Sequence, residues 1–264
     1  MLLAVDVGNT QTHLGVFDRG KLIHEWRAST ESARTADELS LLFGGLLTSA
    51  DLSFTRQITG VALCSVVPRA TQELRDMTLK YFGFPPLVVG PGVKTGIAVL
   101  TDNPREVGAD RIANAAAAAD MFPGAPVVVA DFGTAITVDA LSASGDYLGG
   151  AIAPGIDISA GALFSATALV QRVEVVAPCS AIGKSTAAAV QAGIVYGTAA
   201  MVDGLVERVL AELGLLAEQG SPVEVVATGG WAGTVVEHCR LIHRIEPALT
   251  LTGLRLIFDR NAGA

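Results

Sequence analysis

The chain has 264 residues, 50% of them hydrophobic and 17% charged, and carries a net charge of −8 at neutral pH. An acidic protein of this kind argues against nucleic acid as a partner, because a nucleic-acid binder shows a basic face. The most apolar stretches are cut by Asp131, Asp139 or Asp203, so none gives the ~20 uninterrupted apolar residues of a membrane span, and so apolar a chain implies a deep core with further surface hidden in an oligomer interface.

The first predicted element organises the rest. Leu2-Leu3-Ala4-Val5 is an apolar run that ends in Asp6-Val7-Gly8-Asn9-Thr10. A buried strand delivers the acid to its end. Gly8 lets the backbone turn and approach a ligand. Asn9 and Thr10 add polar groups where a phosphate could sit, so the stretch suggests a cradle for a magnesium nucleotide. Met1 leads straight into this strand without the basic segment and cleavage site of a signal peptide. The strand continues through His13-Leu14-Gly15-Val16-Phe17, turns at Asp18-Arg19-Gly20-Lys21 and resumes at Leu22-Ile23. Thr35 with Glu38 three residues on is a capping-box pattern, predicting a helix to about Leu47. Ile58 to Val67 reads as a buried strand, Ala70 to Phe82 as a helix, and Pro85 to Val89 as a short strand.

A loop-like segment from Val93 to Pro104 follows, then Arg105-Glu106-Val107-Gly108-Ala109-Asp110-Arg111 and an alanine-rich helix ending near Asp120. Asp110 and Arg111 fall in the first turn of that helix, where backbone N–H groups are unpaired. On pattern alone Asp110 reads more readily as an ordinary cap or first-turn acid. Arg111 opposes the helix dipole, a local conflict of the kind functional sites carry.

The second half repeats the first. Val127-Val128-Val129-Ala130-Asp131-Phe132-Gly133-Thr134 matches the opening stretch 125 positions on, pairing Asp6 with Asp131, Gly8 with Gly133 and Thr12 with Thr137. Its strand also turns, at Ser144-Gly145-Asp146, and resumes at Tyr147-Leu148. Gly149 to Gly155 is a glycine and proline cluster that predicts close backbone approach, and Ile156 to Ala168 reads as a helix. Gly183-Lys184-Ser185-Thr186 is not a P-loop, because the glycine the pattern needs five positions earlier is Pro178. Ser185 or Thr186 instead begins a long helix to about Leu213. Val223 to Thr228 is a strand running into Gly229-Gly230, which suits either a flat ligand such as adenine or a plain turn. A last helix covers Leu251 to Arg260. Cys64, Cys179 and Cys239 form neither a pairing framework nor a metal motif, as expected of structural, reduced thiols. The halves divide at Met121 to Pro126, giving domains 1–120 and 121–264.

Asp6 to Thr10, Asp131 to Ala135 and Gly229-Gly230 together resemble the phosphate and adenosine motifs of the actin-like ATPase superfamily. With Asn103 to Arg111, Gly149 to Gly155 and Thr186 added, the set is similar to type III pantothenate kinase over nearly the whole chain. The resemblance implies an α/β fold of two similar ribonuclease-H-like domains with a nucleotide cleft between them. It implies a cytoplasmic homodimer that transfers the γ-phosphoryl of ATP to the primary hydroxyl of pantothenate, the first step of coenzyme A biosynthesis. It further implies Mg2+ and a monovalent cation, K+ or NH4+. Asp110 maps onto the catalytic base. Gly108, Ala109, Asp110, Arg111 and Thr186 map onto the pantothenate site. Asp6, Val7, Gly8, Asn9, Thr10, Gln11, Thr12 and His13 map onto the first ATP loop, with Thr134, Gly229 and Gly230 as further nucleotide contacts. Asp6 and Asp131 map onto the metal positions, Asp6 for magnesium and Asp131 for the monovalent ion. Thr101 stands where many members carry a tyrosine. Another kinase of the superfamily would keep Asp6, Asp131 and Gly229-Gly230 without needing Gly108 to Arg111. A non-catalytic ATP-binding regulator is the alternative of a different class.

Overall fold

In the computed structural model, which describes residues 1–167, 172–216 and 223–262, the opening apolar run is strand β1 (Leu2–Val7). It pairs antiparallel with β2 (Gln11–Asp18), which turns back into β3 (Lys21–Ser29). Arg19 and Gly20 make that turn with φ of 48° and 81°. Two consecutive positive φ values give the loop whose twist matches paired strands.

Helix α1 (Ala36–Thr48) starts where the capping box puts it. The Thr35 hydroxyl oxygen accepts from the Glu38 N–H, and the Thr35 N–H donates to Glu38 Oε2 at 2.8 Å. Strand β4 (Gly60–Ser65) lies parallel to β1 on its other side. Helix α2 (Pro68–Phe82) begins at Pro68, earlier than the expected Ala70, because proline suits the first helical position. Strand β5 (Leu87–Val88) completes a sheet of order β3-β2-β1-β4-β5. A 3₁₀ turn (Pro104–Glu106) precedes α3 (Ala109–Met121).

The second sheet comprises β6 (Val127–Phe132), β7 (Ala135–Leu141), β8 (Tyr147–Pro154), β9 (Glu224–Thr228) and β10 (Arg244–Ile245). Read from β8, its order is β8-β7-β6-β9-β10, with the antiparallel and parallel pairings in the same sequence as in the first sheet. The repeat read from the motifs is therefore a repeat of topology. The Gly149 to Gly155 cluster is mostly strand, β8 running through it to Pro154. Helix α4 (Ile156–Ala166) ends before Ala168, which lies outside the described residues.

Helix α5 (Thr186–Leu216) packs on β6, β7, α4 and the short helix α6 (Ala232–Val235). Over Thr186–Gly214 it is long and apolar enough to cross a membrane by length and composition. Its packing on the sheet and a buried carboxylate at Asp203 are those of a core helix. Asp203 accepts the backbone N–H groups of Arg240 and Leu241 at 2.9 and 3.2 Å, which satisfies a charge inside an apolar layer.

The last helix, α7 (Leu249–Asn261), packs on β1, β2 and β4. It joins the unit that holds Met1–Ile97 and Asp102–Ala117, whereas Ala98–Thr101 and Ala118–Ala248 form the other. The sequence division at 120/121 grouped this helix with the second half. Leu251, Leu254 and Ile257 are fully buried in the first unit. The Thr250 hydroxyl donates to Asn114 Oδ1 at 2.8 Å, a buried bond across 136 positions. Gly253 lies against the Ala113 carbonyl with no room for a Cβ. None of these long-range pairings is visible in a local pattern.

Candidate active site

In the first unit, Asp6 stands one residue before the end of β1. The neighbouring strands set His13 and Cys64 beside it in register. The Cys64 thiol donates to Asp6 Oδ1 at 3.2 Å. Burial lifts the Asp6 carboxyl from an ordinary 3.8 to about 6. The thiol bond opposes this, the negative charge of Asp110 adds to it, and the cation of Arg27 on β3 partly offsets it. Burial, with the charges of Asp6 and Asp110, also pushes the Cys64 thiol well up, so it stays an S–H donor. A desolvated Asp6 carboxylate that also feels the charge of Asp110 favours a neighbouring cation.

The loop after β1 is closed by the Gly8 N–H donating to the Gln11 carbonyl at 3.0 Å. Asn9, Thr10 and Gln11 are exposed and can meet a ligand. Val7, Thr12 and His13 are buried and frame the loop from behind. Val7 belongs to the apolar core, and Thr12 shares a 2.8 Å hydrogen bond with Thr30. His13 Nε2 lies 3.2 Å from Glu25 Oε2, and burial followed by the Arg27 charge holds its pKa below the usual value.

Asp110 sits in the first turn of α3. Its Oδ1 accepts the Arg111 N–H at 2.9 Å, while the Gly108 carbonyl accepts from Ile112 at 3.1 Å. A Cβ at Gly108 would collide with Asp110 Oδ1, so glycine there lets the carboxylate fold over the helix start. Ala109 is the first helical residue. Asn103 Nδ2 braces the preceding 3₁₀ turn by donating to Glu106 Oε1 at 2.6 Å.

In the second unit, Asp131 holds the position on β6 that Asp6 holds on β1. Its register partner on β9 is Thr228. Gly229 follows with φ of 95°, and its backbone packs against the Asp131 carboxylate and Phe132. The Trp231 N–H donates to the Phe132 carbonyl at 3.2 Å, which ties the Gly229-Gly230 turn to the end of β6. Gly133 and Thr134 form the turn into β7. Asp131 and Gly133 thus meet Gly229, which is distant in sequence, at one end of this sheet. Thr186 is exposed at the head of α5, where the Ser185 hydroxyl caps Ala188 N–H at 3.2 Å. Thr101 Oγ1 is shielded from solvent without a hydrogen-bond partner.

The donor set fits a hard divalent cation held sparingly. Among the described residues, no group of three or more His, Cys, Asp or Glu side chains could cage a metal ion. Magnesium takes one or two carboxylates and fills its remaining positions with water and phosphate oxygens. Asp6, desolvated and under the charge of Asp110, matches that demand.

Sequence reasoning passed over three residues here: Cys64, Arg27 and Glu25. Their signal is the strand register. Pairing β1 with β4 aligns Asp6 with Cys64, and pairing β2 with β3 aligns His13 with Arg27.

Two repeated sheets with an acidic turn at the head of each define an actin-like ATPase fold, the class to which sugar kinases belong. Solved structures of this fold cover the chain almost completely. A Campylobacter jejuni chain assigned to the Baf transcriptional-activator family superimposes with a TM-score of 0.60 at 18% identity, covering 99% of this chain and 100% of its own. The activator of 2-hydroxyisocaproyl-CoA dehydratase from Clostridium difficile, with bound ADPNP, gives 0.50 at 14% identity over 99% and 96%. At these identities the likeness is one of fold. The sequence relationship is much closer: the chain belongs to the type III pantothenate kinase family, whose pattern matches residues 2–208. It is 51% identical over 265 residues to the type III pantothenate kinase of Streptomyces coelicolor, covering 99% of this chain and 98% of that one. It is 52% identical over 262 residues to the enzyme of Acidothermus cellulolyticus, covering 99% of both.

Proposed function

We propose that this protein phosphorylates the primary hydroxyl of pantothenate with ATP, giving 4'-phosphopantothenate in the first step of coenzyme A biosynthesis. Family membership over the full chain supports the substrate and the reaction. The observation that carries the mechanism is the Asp6 and Asp110 pair, one partly buried carboxylate raised to about 6 and a second whose charge it feels.

Phosphoryl transfer has a loose transition state, so catalysis is mostly positioning and charge neutralisation. Asp6 would hold Mg2+, which when bound neutralises charge on the phosphate oxygens. Asn9, Thr10 and Thr134 would donate hydrogen bonds to phosphates, and Gly229-Gly230 would lie against adenine. Asp110 would orient the pantothenate hydroxyl and accept its proton as the new O–P bond forms and the bond to the β-phosphate oxygen breaks, releasing ADP. Gly108 and Ala109 hold Asp110 at the helix start. Arg111 and Thr186 would bind polar groups of pantothenate. Asp131 would bind K+ or NH4+, with the Gly229 backbone packed beside it. The protein would work as a cytoplasmic homodimer, with the apolar helix α5 as its interface.

The test is ATP-dependent phosphorylation of pantothenate by purified protein with Mg2+, with and without K+ or NH4+. Turnover that requires the monovalent ion supports the whole reading. ATP binding without pantothenate turnover under any ion refutes it and favours another superfamily kinase or a regulatory ATP binder.

A further inference from the structure

We propose that Cys64 is a positioning residue: its S–H holds the carboxylate of Asp6 in the orientation that receives the divalent cation. The inference rests on the reading of Asp6 as the magnesium-holding residue.

Three observations carry it. First, the thiol lies 3.2 Å from Asp6 Oδ1, and the parallel pairing of β1 with β4 sets these two residues directly in register. Both strands are central in their sheet, so the geometry is fixed by backbone hydrogen bonds on either side. Second, Cys64 has no solvent exposure. A buried donor aimed at a carboxylate orients it rather than competing with solvent for it. Third, the second unit repeats the strand register. Its β6–β9 pairing sets Thr228, another buried residue with a hydrogen-bonding side chain, in register with Asp131. Each acidic strand end is thus flanked, on its parallel neighbour, by a small buried side chain that can donate. The duplication preserves the relation although the residue types differ.

Oriented ligand carboxylates are commonly hydrogen-bonded from behind, and removing such a partner weakens metal affinity by about 10- to 100-fold. A thiol is a weak donor, so the effect expected for Cys64→Ala is at the lower end, about tenfold.

The experiment titrates Mn2+ into protein saturated with a non-hydrolysable ATP analogue and reads free Mn2+ by electron paramagnetic resonance. Cys64→Ala should weaken Mn2+ binding about tenfold, while Cys64→Ser, which restores a donor, should stay within about threefold of wild type. In the kinase assay, the Mg2+ concentration for half-maximal rate should rise in Cys64→Ala with kcat little changed. If Cys64→Ala does not fold, Cys64→Val replaces it as a similar-sized side chain without a donor. Unchanged Mn2+ affinity in the donorless variant overturns the proposal, and so does a loss in Cys64→Ser as large as in Cys64→Ala. Asp6→Asn separates the two readings. If it binds Mn2+ as wild type does, Asp6 is not the metal ligand and the parent reading fails. If it loses Mn2+ while Cys64→Ala does not, only the role of Cys64 fails.

Discussion

Replacing Asp6 by Asn should make the ligand-free protein more stable while crippling its metal binding. The Asn amide keeps the shape and still offers a carbonyl oxygen to the Cys64 thiol, but it carries no charge to desolvate. Burial raises the Asp6 carboxyl from 3.8 to about 6, roughly two pH units, and each unit corresponds to about 1.4 kcal/mol. The folded state therefore binds this proton more tightly than the unfolded chain. The resulting penalty is absent well below pH 3.8, grows as pH rises, and is complete above about pH 6. Its full size is about 3 kcal/mol, or about 2 kcal/mol once solvent reaching the loop is allowed for. For a protein of this size that corresponds to a rise of roughly 4–8 °C in Tm at pH 7.5. Thermal unfolding of metal-free and nucleotide-free protein, wild type against Asp6→Asn, measures it. The difference should shrink to about half at pH 5 and to about a fifth at pH 4. With Mg2+ and an ATP analogue present, wild type should recover the advantage. An Asp6→Asn protein that melts at or below wild type at pH 7.5, or a difference flat across this pH range, would refute the reasoning.

Asp110→Asn should lower kcat on the order of 10²-fold or more while ATP-analogue binding is kept, because shape remains and the proton acceptor is lost; near-normal turnover removes Asp110 as base. Gly108→Ala should cut kcat about tenfold with the fold intact, since the new Cβ meets Asp110 Oδ1 and displaces the carboxylate; unchanged kinetics would show that the helix start yields easily. Gly253→Ala should destabilise the protein by about 2 kcal/mol or more, because α7 must move off the Ala113 carbonyl; chemical denaturation reads the change. Thr35→Ala should cost about 1 kcal/mol through loss of the capping box, visible as a Tm drop of roughly 2–4 °C.

What was legible in the sequence was what is local or repeated. Asp6 and Asp131 advertise themselves because each ends an apolar run and precedes a glycine turn. The capping box at Thr35 and Glu38 marks a helix start without help from the rest of the chain. The short strand β10 and helix α6 were not legible, being two and four residues long with too few positions to show a period. The loop from Asp6 to His13 reads as one motif, yet Val7, Thr12 and His13 point into the protein. Place along the chain, and not residue type, decides which members face a ligand: Asn9, Thr10 and Gln11 at the turn are exposed, while β2 is buried over consecutive positions from Thr12 on. Cys64 reads as an ordinary core cysteine until β4 is laid beside β1. That pairing joins residues 58 positions apart, beyond any local window.

The docking of α7 on the first sheet has a consequence for the order of assembly. Strands β1, β2 and β4 are separated along the chain from the helix that covers them by the whole second sheet. Leu251 seats against Gly15 and Phe258 against Gly60, so until α7 docks those apolar positions lack their cover. A chain that builds the second sheet first carries this unfinished surface meanwhile, an interval in which exposed strands invite aggregation or capture by chaperones. The acidic turn after β1 thus draws one supporting layer from a segment far along the chain.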